Sequence, residues 1–253
     1  MAHWQIILVA WLLYSIAYNF ALIRKPPRSR KTGPPIRGWG NRAKILIIGA
    51  TGGTGRQLVQ QALDQGHQVT ALVRKPEKLK IEHPNLRVMQ GNVLDYSSVE
   101  RAARGQSAVL SALGHKRFLW PTRILSRGTE SILRAMKNCQ VPRFICETSL
   151  GVGNAVGRLG LPPTLVFVPL ILPFYLWDRV RQEKLIADAT AIDWVIVRPP
   201  ILTNAPACGK YRHGFNVGNY IWPRRISRAD VADFMLRRLN DDSYIGTAPG
   251  ICD

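Results

Sequence analysis

Acidic residues are scarce in this chain of 253: 16 aspartates and glutamates stand against 35 lysines and arginines, a formal charge of +19. The four cysteines (Cys139, Cys146, Cys208 and Cys252) have neither metal-ligand spacing nor the density of a disulfide framework, which argues against a zinc module or a disulfide-stapled fold. Cys146 falls in an apolar strand pattern and reads as a small buried hydrophobe. There is no internal repeat, no second independent domain and no recognisable nucleic-acid module, so the charge does not by itself point to DNA or RNA. Charge is missing altogether from Trp4–Ile23 and from Leu159–Trp177, and acid is missing from Arg24–Lys44.

Those gaps organise the chain. The first is an uncharged run of about 20 residues, the length at which a helix crosses a bilayer core. Trp4, Trp11, Tyr14 and Tyr18 give it the aromatic character of interfacial anchors. Arg24, Lys25, Arg28, Arg30, Lys31, Arg37, Arg42 and Lys44 follow, and an excess of positive charge on one side places that side in the cytoplasm. A cleaved signal peptide needs a basic start, a shorter apolar core and a small-residue cleavage site; here the start is neutral and the core long. Residues 1–23 therefore read as an uncleaved single-pass membrane anchor with its N-terminus outside. Residues 24–43 read as a basic linker rich in proline and glycine. The rest of the chain keeps 27 basic residues against 16 acidic ones, which suits attraction to anionic lipids or serves solubility alone.

Residues 44–253 are enough for one well-buried α/β domain. They open with Lys44-Ile-Leu-Ile-Ile-Gly49-Ala-Thr-Gly52-Gly-Thr-Gly55. A β-branched apolar run is the pattern of a central parallel strand. Glycines at three-residue spacing (Gly49, Gly52, Gly55), with Thr51, Gly53 and Thr54 between them, let a backbone turn approach a pyrophosphate at a helix N-terminus. The amphipathic stretch from Arg56 ends at Gly66, and Gln68–Arg74 supplies the next strand of a βαβ unit. Arg74 ends that strand where an acid would accept the ribose hydroxyls of NAD; a cation there, with Lys75 beside it, suits the 2′-phosphate of NADP instead. NADP(H) is expected in preference to NAD(H).

The Gly-x-x-Gly-x-x-Gly spacing, with Ala50-Thr51 after the first glycine, resembles the extended and atypical short-chain dehydrogenase/reductase superfamily. More narrowly it is similar to the NAD(P)H-binding group of flavin/biliverdin reductase-like and NmrA-like proteins. Gly91-Asn-Val-Leu-Asp95, Cys146-Glu-Thr-Ser149 and Asp193-Trp-Val-Ile-Val-Arg198-Pro199-Pro200 carry the likeness toward the C-terminus. It implies a Rossmann-like, doubly wound parallel sheet, here preceded by one transmembrane helix. It also implies that Asn92, standing where the group usually has an acid, lies near the adenine, and that Arg198 and Pro199 border the cofactor cleft. Asp95 is read instead as the N-cap of the next helix, and Ser227 as the N-cap of the last.

The resemblance further implies that Ser149 is the serine that hydrogen-bonds a reacting carbonyl. Tyr175 and Arg179 stand 26 and 30 positions later, where extended members keep tyrosine and lysine. Four apart, they share a helix face, but an arginine stays charged and does not relay protons. Glu183, four further on, is expected to pair with Arg179 along the helix. Between Ser149 and Arg179 the uncharged stretch with four prolines (Pro162, Pro163, Pro169, Pro173) reads as a substrate-side flap, about residues 151–178, rather than a simple spanning helix. These features converge on a membrane-anchored NADPH-dependent oxidoreductase that transfers hydride to a lipophilic acceptor such as a quinone, pigment, isoprenoid or lipid carbonyl. The alternative is a non-catalytic NADP(H)-binding scaffold, redox sensor or assembly factor of a membrane complex.

Overall fold

The computed structural model describes residues 3–24, 42–115 and 120–253; most of the expected linker lies outside the described residues. Helix α1 (His3–Leu22) comes first, and it is long and apolar enough to cross a membrane. The sheet then builds from six short runs: β1 (Lys44–Ile48), β2 (Gln68–Val73), β3 (Leu86–Gln90), β4 (Ala108–Ser111), β5 (Arg143–Glu147) and β6 (Asp193–Val197). They pair in the order β3-β2-β1-β4-β5-β6, each neighbour parallel. This is the expected doubly wound sheet, with its strand order reversing direction between β1 and β4.

Alternation along β1 feeds two cores. Ile45 and Ile47 pack with α2 (Gly53–Asp64) on one face, whereas Leu46 and Ile48 pack with α3 (Tyr96–Ala103) and α4 (Ile124–Asn138) on the other. Such two-sided burial explains why β1 reads as a continuous apolar run. Asp95 caps α3 by accepting from Ser97 N–H (3.1 Å), as expected. α4 starts at Ile124 with a cap that comes from elsewhere in the chain: the buried Asp178 carboxylate accepts from the amides of Leu125 (2.9 Å) and Ser126 (3.2 Å). A carboxylate on orphan amides at a helix N-terminus is favourably placed.

The flap is a broken helix. A π-helical turn (Pro163–Phe167) runs into α5 (Val168–Ile171), and α6 (Pro173–Ala187) leaves at 93° to them. After β6, short strands β7 (Ile201–Thr203), β8 (Arg212–Gly214) and β9 (Arg225–Ser227) lead to α7 (Arg228–Arg237), and β10 (Gly250–Cys252) closes on β8. α7 covers the same sheet face as α2. Ser227 caps it, accepting from Asp230 N–H at 2.9 Å.

The prolines of the flap create a debt that α1 settles. Pro169 has no N–H to give to the carbonyls of Leu165 (α spacing) and Thr164 (π spacing), and Pro173 has none for Pro169. Ser15 Oγ donates to Leu165 O (2.9 Å), Asn19 Nδ2 to Thr164 O (2.9 Å) and Tyr14 Oη to Pro169 O (3.3 Å). Tyr18 Oη reaches Pro173 O at 2.7 Å. Ser15, Tyr18, Asn19 and Leu22 are buried in this seam, while Ile6, Ile7, Leu13, Ile16 and Phe20 are exposed. The helix thus turns its polar stripe inward and its apolar surface outward.

Replacing Ser15 by alanine and Asn19 by leucine leaves two carbonyls without donors, at roughly 1–3 kcal/mol each. The double variant is expected to melt at lower temperature in detergent and to be cut faster by protease between Gly160 and Leu172. Unchanged melting and cleavage would mean that these bonds do not hold the flap.

Candidate cofactor and active site

Strand carboxyl ends converge on one cleft of about 450 Å³, at the β1/β4 reversal. Gly49 closes β1 with φ of +85°, a left-handed conformation that glycine adopts without strain. A Cβ on Gly49 would lie 2.4 Å from Ala112 O, and one on Gly55 would lie 2.0 Å from Gly49 O. The glycine spacing is therefore steric: the turn runs against the loop after β4, and α2 runs against the turn. The first bond within α2 goes from Arg56 N–H to Gly52 O (2.9 Å), so the amides of Gly53, Thr54 and Gly55 precede it and form the usual donor set of a helix N-terminus. This cradle fits a pyrophosphate.

Gly49, Thr51, Gly52, Gly53, Thr54, Arg74, Asn92, Ser149, Tyr175, Arg179 and Pro199 all line the cleft. Three expected cofactor residues do not. Gly55 is buried behind the turn, and Lys75 is exposed at the start of a 3₁₀ turn (Pro76–Lys78). Arg198 points to the far side of the sheet end, where its Nε and Nη2 donate to Glu183 (2.9 and 2.5 Å) and Nη1 to Asn154 Oδ1 (2.7 Å). This also corrects the expected Arg179–Glu183 pair: Glu183 is held by Arg198 and by Thr148 Oγ1 (2.7 Å). A guanidinium one strand away meets the carboxylate squarely, so the helical neighbour is not used.

Arg179 is instead a buried clamp. Its Nη1 donates to Glu147 O (3.0 Å) and Gln182 Oε1 (2.7 Å), and its Nη2 to Leu113 O (3.1 Å) and Tyr175 Oη (2.6 Å). One side chain thereby ties α6 to the ends of β4 and β5 and fixes the tyrosine at the cleft wall. The His115 ring stands edge-on to Tyr175, 5.1 Å between centroids. Ser149 Oγ donates to Leu150 O at 2.9 Å; a carbonyl in the cleft would have to draw that proton away. Asn92 uses Oδ1 to accept from Leu94 N–H (3.1 Å), so its side chain shapes the turn it sits on.

Sequence reading missed two cleft residues. Arg228, at the start of α7, lies across Gly53, where a Cβ would come within 2.4 Å of its Cδ; Nη1 donates to Asn204 Oδ1 at 2.7 Å. It places a cation beside the phosphate cradle, and in the sequence it looked like an ordinary residue after a cap. Glu147 is buried under the turn and accepts from Thr54 Oγ1 (3.1 Å). Burial pushes its pKa up, against the opposing pull of Arg179 and the Thr54 bond. On the other side of β5, burial pushes the Cys146 thiol up to about 12, so it is inert as a nucleophile. Cys208, Asp230 and Asp253 also come within 4.8 Å of one another, but Asp230 is taken up by Ser227 and the amides of Cys208 and Gly209.

Residues 49–242 match a family model described as NAD(P)H-binding. Among curated proteins, an uncharacterized chloroplastic protein of Arabidopsis thaliana is 31% identical over 66% of this chain and 61% of its own length. The Photosystem II assembly factor Ycf39 of Synechocystis is 29% identical over 79% of the chain and 59% of its own, and Protein TIC 62 of Pisum sativum is 24% identical over 76% and 39%. The chain thus spans between two fifths and three fifths of these relatives' lengths. ChuY of Escherichia coli O157:H7, an anaerobillin reductase, superposes with a TM-score of 0.68 at 21% identity, covering 83% of this chain and 96% of its own. An oxidoreductase of Lactococcus lactis, ylbE, gives 0.69 at 20% identity, with 83% and 90% covered. At these identities the structural likeness is one of fold.

Two outcomes follow from the geometry. Arg74→Ala is expected to weaken NADPH binding about tenfold while sparing NADH, read by nucleotide fluorescence titration; equal losses for both would remove Arg74 from the 2′-phosphate role. For Glu147, a raised folded pKa means that the stability it contributes is full below the ordinary glutamate pKa and is lost as pH rises through the folded one. Glu147→Gln should therefore melt higher than the parent at alkaline pH, with the gap closing in acid.

Proposed function

The chain belongs to the NAD(P)H-binding family whose model spans residues 49–242, and on that premise we propose a membrane-anchored, NADPH-dependent oxidoreductase with a lipophilic acceptor. The observation that carries the membrane half is the inverted polarity of α1. Its buried stripe holds Ser15 and Asn19, and its outer face is apolar, with Phe20 75% and Ile7 69% exposed. That arrangement is unfavourable in water and expected in lipid, where every backbone carbonyl needs an internal donor. Contacts from Tyr14 to Leu22 extend along about 12 Å of helix at about 1.5 Å per residue, so the flap would reach that far into the bilayer. Leu161, Phe167, Leu170 and Trp177 on the flap are exposed, as are Tyr220, Ile221 and Trp222 on a loop bonded to it through Leu161 N–H and Ile221 O (3.0 Å). The proposed orientation puts the N-terminus outside and the nucleotide domain on the cytoplasmic side, against anionic lipid.

The bound nicotinamide supplies the hydride. The glycine turn and α2 hold the diphosphate, Arg74 the 2′-phosphate, and Arg228 adds charge at the cradle. Ser149 orients the acceptor carbonyl by hydrogen bonding. Tyr175, held by Arg179, faces the same cleft to donate a proton or hydrogen-bond developing negative charge. An acceptor arriving from the bilayer would meet the flap face of this cleft first.

Arg179 also favours a second reading. Its guanidinium is committed to four acceptors, two of them strand-end carbonyls, a structural employment that a scaffold, sensor or assembly factor of a membrane complex would need as much as an enzyme. NADPH oxidation in mild detergent, with quinone, flavin and pigment acceptors, separates the two. The enzyme reading expects Ser149→Ala and Tyr175→Phe each to lower turnover about 100-fold while NADPH still binds. Nucleotide binding without turnover of any acceptor, or indifference to both substitutions, would favour the scaffold.

A further inference from the structure

A second cavity, of about 520 Å³, opens where α1 ends against α6, and it shares no lining residue with the cofactor cleft. Arg24, Arg181 and Lys184 line it, and none of the three forms an ion pair among the described residues. Val180 and Ala187 give it an apolar wall. Its single acid, Glu183, is neutralised by the buried Arg198. Gly153 lines the cavity with φ of +62°, and a Cβ there would sit 2.9 Å from Arg198 Nη2. The net charge around the space is strongly positive.

Position gives this charge its meaning. Arg24 stands two residues past the 20-residue α1, and its Nη1 folds back onto the carbonyls of Ala21 (3.0 Å) and Ile23 (2.7 Å). A helix of that length matches the hydrocarbon thickness, so the residue just beyond it lies at the headgroup level. Phe20 and Ile23, within four residues of Arg24 in the sequence, are both exposed. We propose that this cavity binds the phosphate headgroup of an anionic phospholipid of the cytoplasmic leaflet; the proposal rests on the membrane reading above. Basic pockets beside spanning helices on the cytoplasmic side commonly recognise such headgroups. A bound lipid would bridge α1 and α6, bracing the helix that carries Tyr175 and Arg179.

The test uses the full chain with phosphatidylglycerol, phosphatidylcholine and inorganic phosphate as probes. Flotation with vesicles first reads membrane association itself. Lipid retained after detergent exchange, counted by native mass spectrometry, then reads the site, and thermal melting with each probe reads its effect. The parent is expected to float, to keep one phosphatidylglycerol in preference to phosphatidylcholine, and to melt higher with it. Arg181→Gln combined with Lys184→Gln should still float and bind NADPH but hold phosphatidylglycerol on the order of 30-fold more weakly. Lys80→Gln with Arg87→Gln, which removes equal charge at the β3 end of the sheet, should behave as the parent. Floating protein without lipid preference, or equal losses in both double variants, overturns the headgroup site and leaves the membrane reading standing. Failure to float overturns both. Inorganic phosphate that stabilises the parent as well as the lipid does, and not the Arg181/Lys184 variant, would uphold the anion site but overturn its assignment to lipid.

Discussion

Burying a guanidinium is costly unless its donors are met, and much of this site follows from how Arg179 meets them. The side chain is 4% exposed and bonds the carbonyls of Leu113 and Glu147, where β4 and β5 run out of ladder partners. Its two terminal nitrogens therefore satisfy strand ends, whereas Nε is buried without a partner among the described residues. A lysine has one nitrogen and cannot reach two strand ends, a glutamine and a tyrosine at once. Where the resembled tyrosine–lysine pattern would put a lysine, this chain has an arginine that serves as a fixed clamp. Tyr175 is held by that clamp at its hydroxyl, which ties it to the sheet as well as to the flap that leads into it.

The same constraint explains what could and could not be read from the sequence. The strands, the glycine turn and the caps at Asp95 and Ser227 were legible because the physics there is local: apolar runs, close backbone approaches and amides within three residues. α6 was not legible as a packed helix, because its buried face carries Asp178, Arg179, Gln182 and Glu183. A polar buried face defeats any reading by hydrophobic periodicity. Each of those side chains finds its partner far along the chain: Asp178 at the start of α4, Gln182 at Thr129 (2.9 Å), Glu183 at Arg198. Spacing of four suggested an Arg179–Glu183 pair, but local spacing only proposes partners, and the sheet supplied better ones. Arg228 was invisible for a similar reason; nothing near it in sequence reveals that it crosses Gly53.

α1 shows the limit from the other direction. Its apolar length was plain, yet the purpose of its few polar residues was not, since Ser15 and Asn19 answer prolines about 150 positions away. The four prolines argued correctly against a straight spanning helix in the flap. They could not say which carbonyls would be left open or what would close them. Only with both segments in place does the complementarity appear, with Tyr14, Ser15 and Asn19 each standing opposite a carbonyl that a proline has released.

That complementarity changes what the N-terminal helix is for. A tether needs only length and hydrophobicity, which α1 has as a whole. The C-terminal half does more: Tyr18 bonds the carbonyl of Pro173, the first residue of α6, two positions before Tyr175. The path from α1 to the cleft wall thus runs through one hydrogen bond and half a helical turn. On the membrane reading, lipid contacts and site geometry are mechanically joined, because any tilt of α1 must either carry the start of α6 with it or break the bonds that close the flap. Loss of α1 would do more than release the domain into solution, since it would expose the flap carbonyls and unseat the segment that leads into Tyr175.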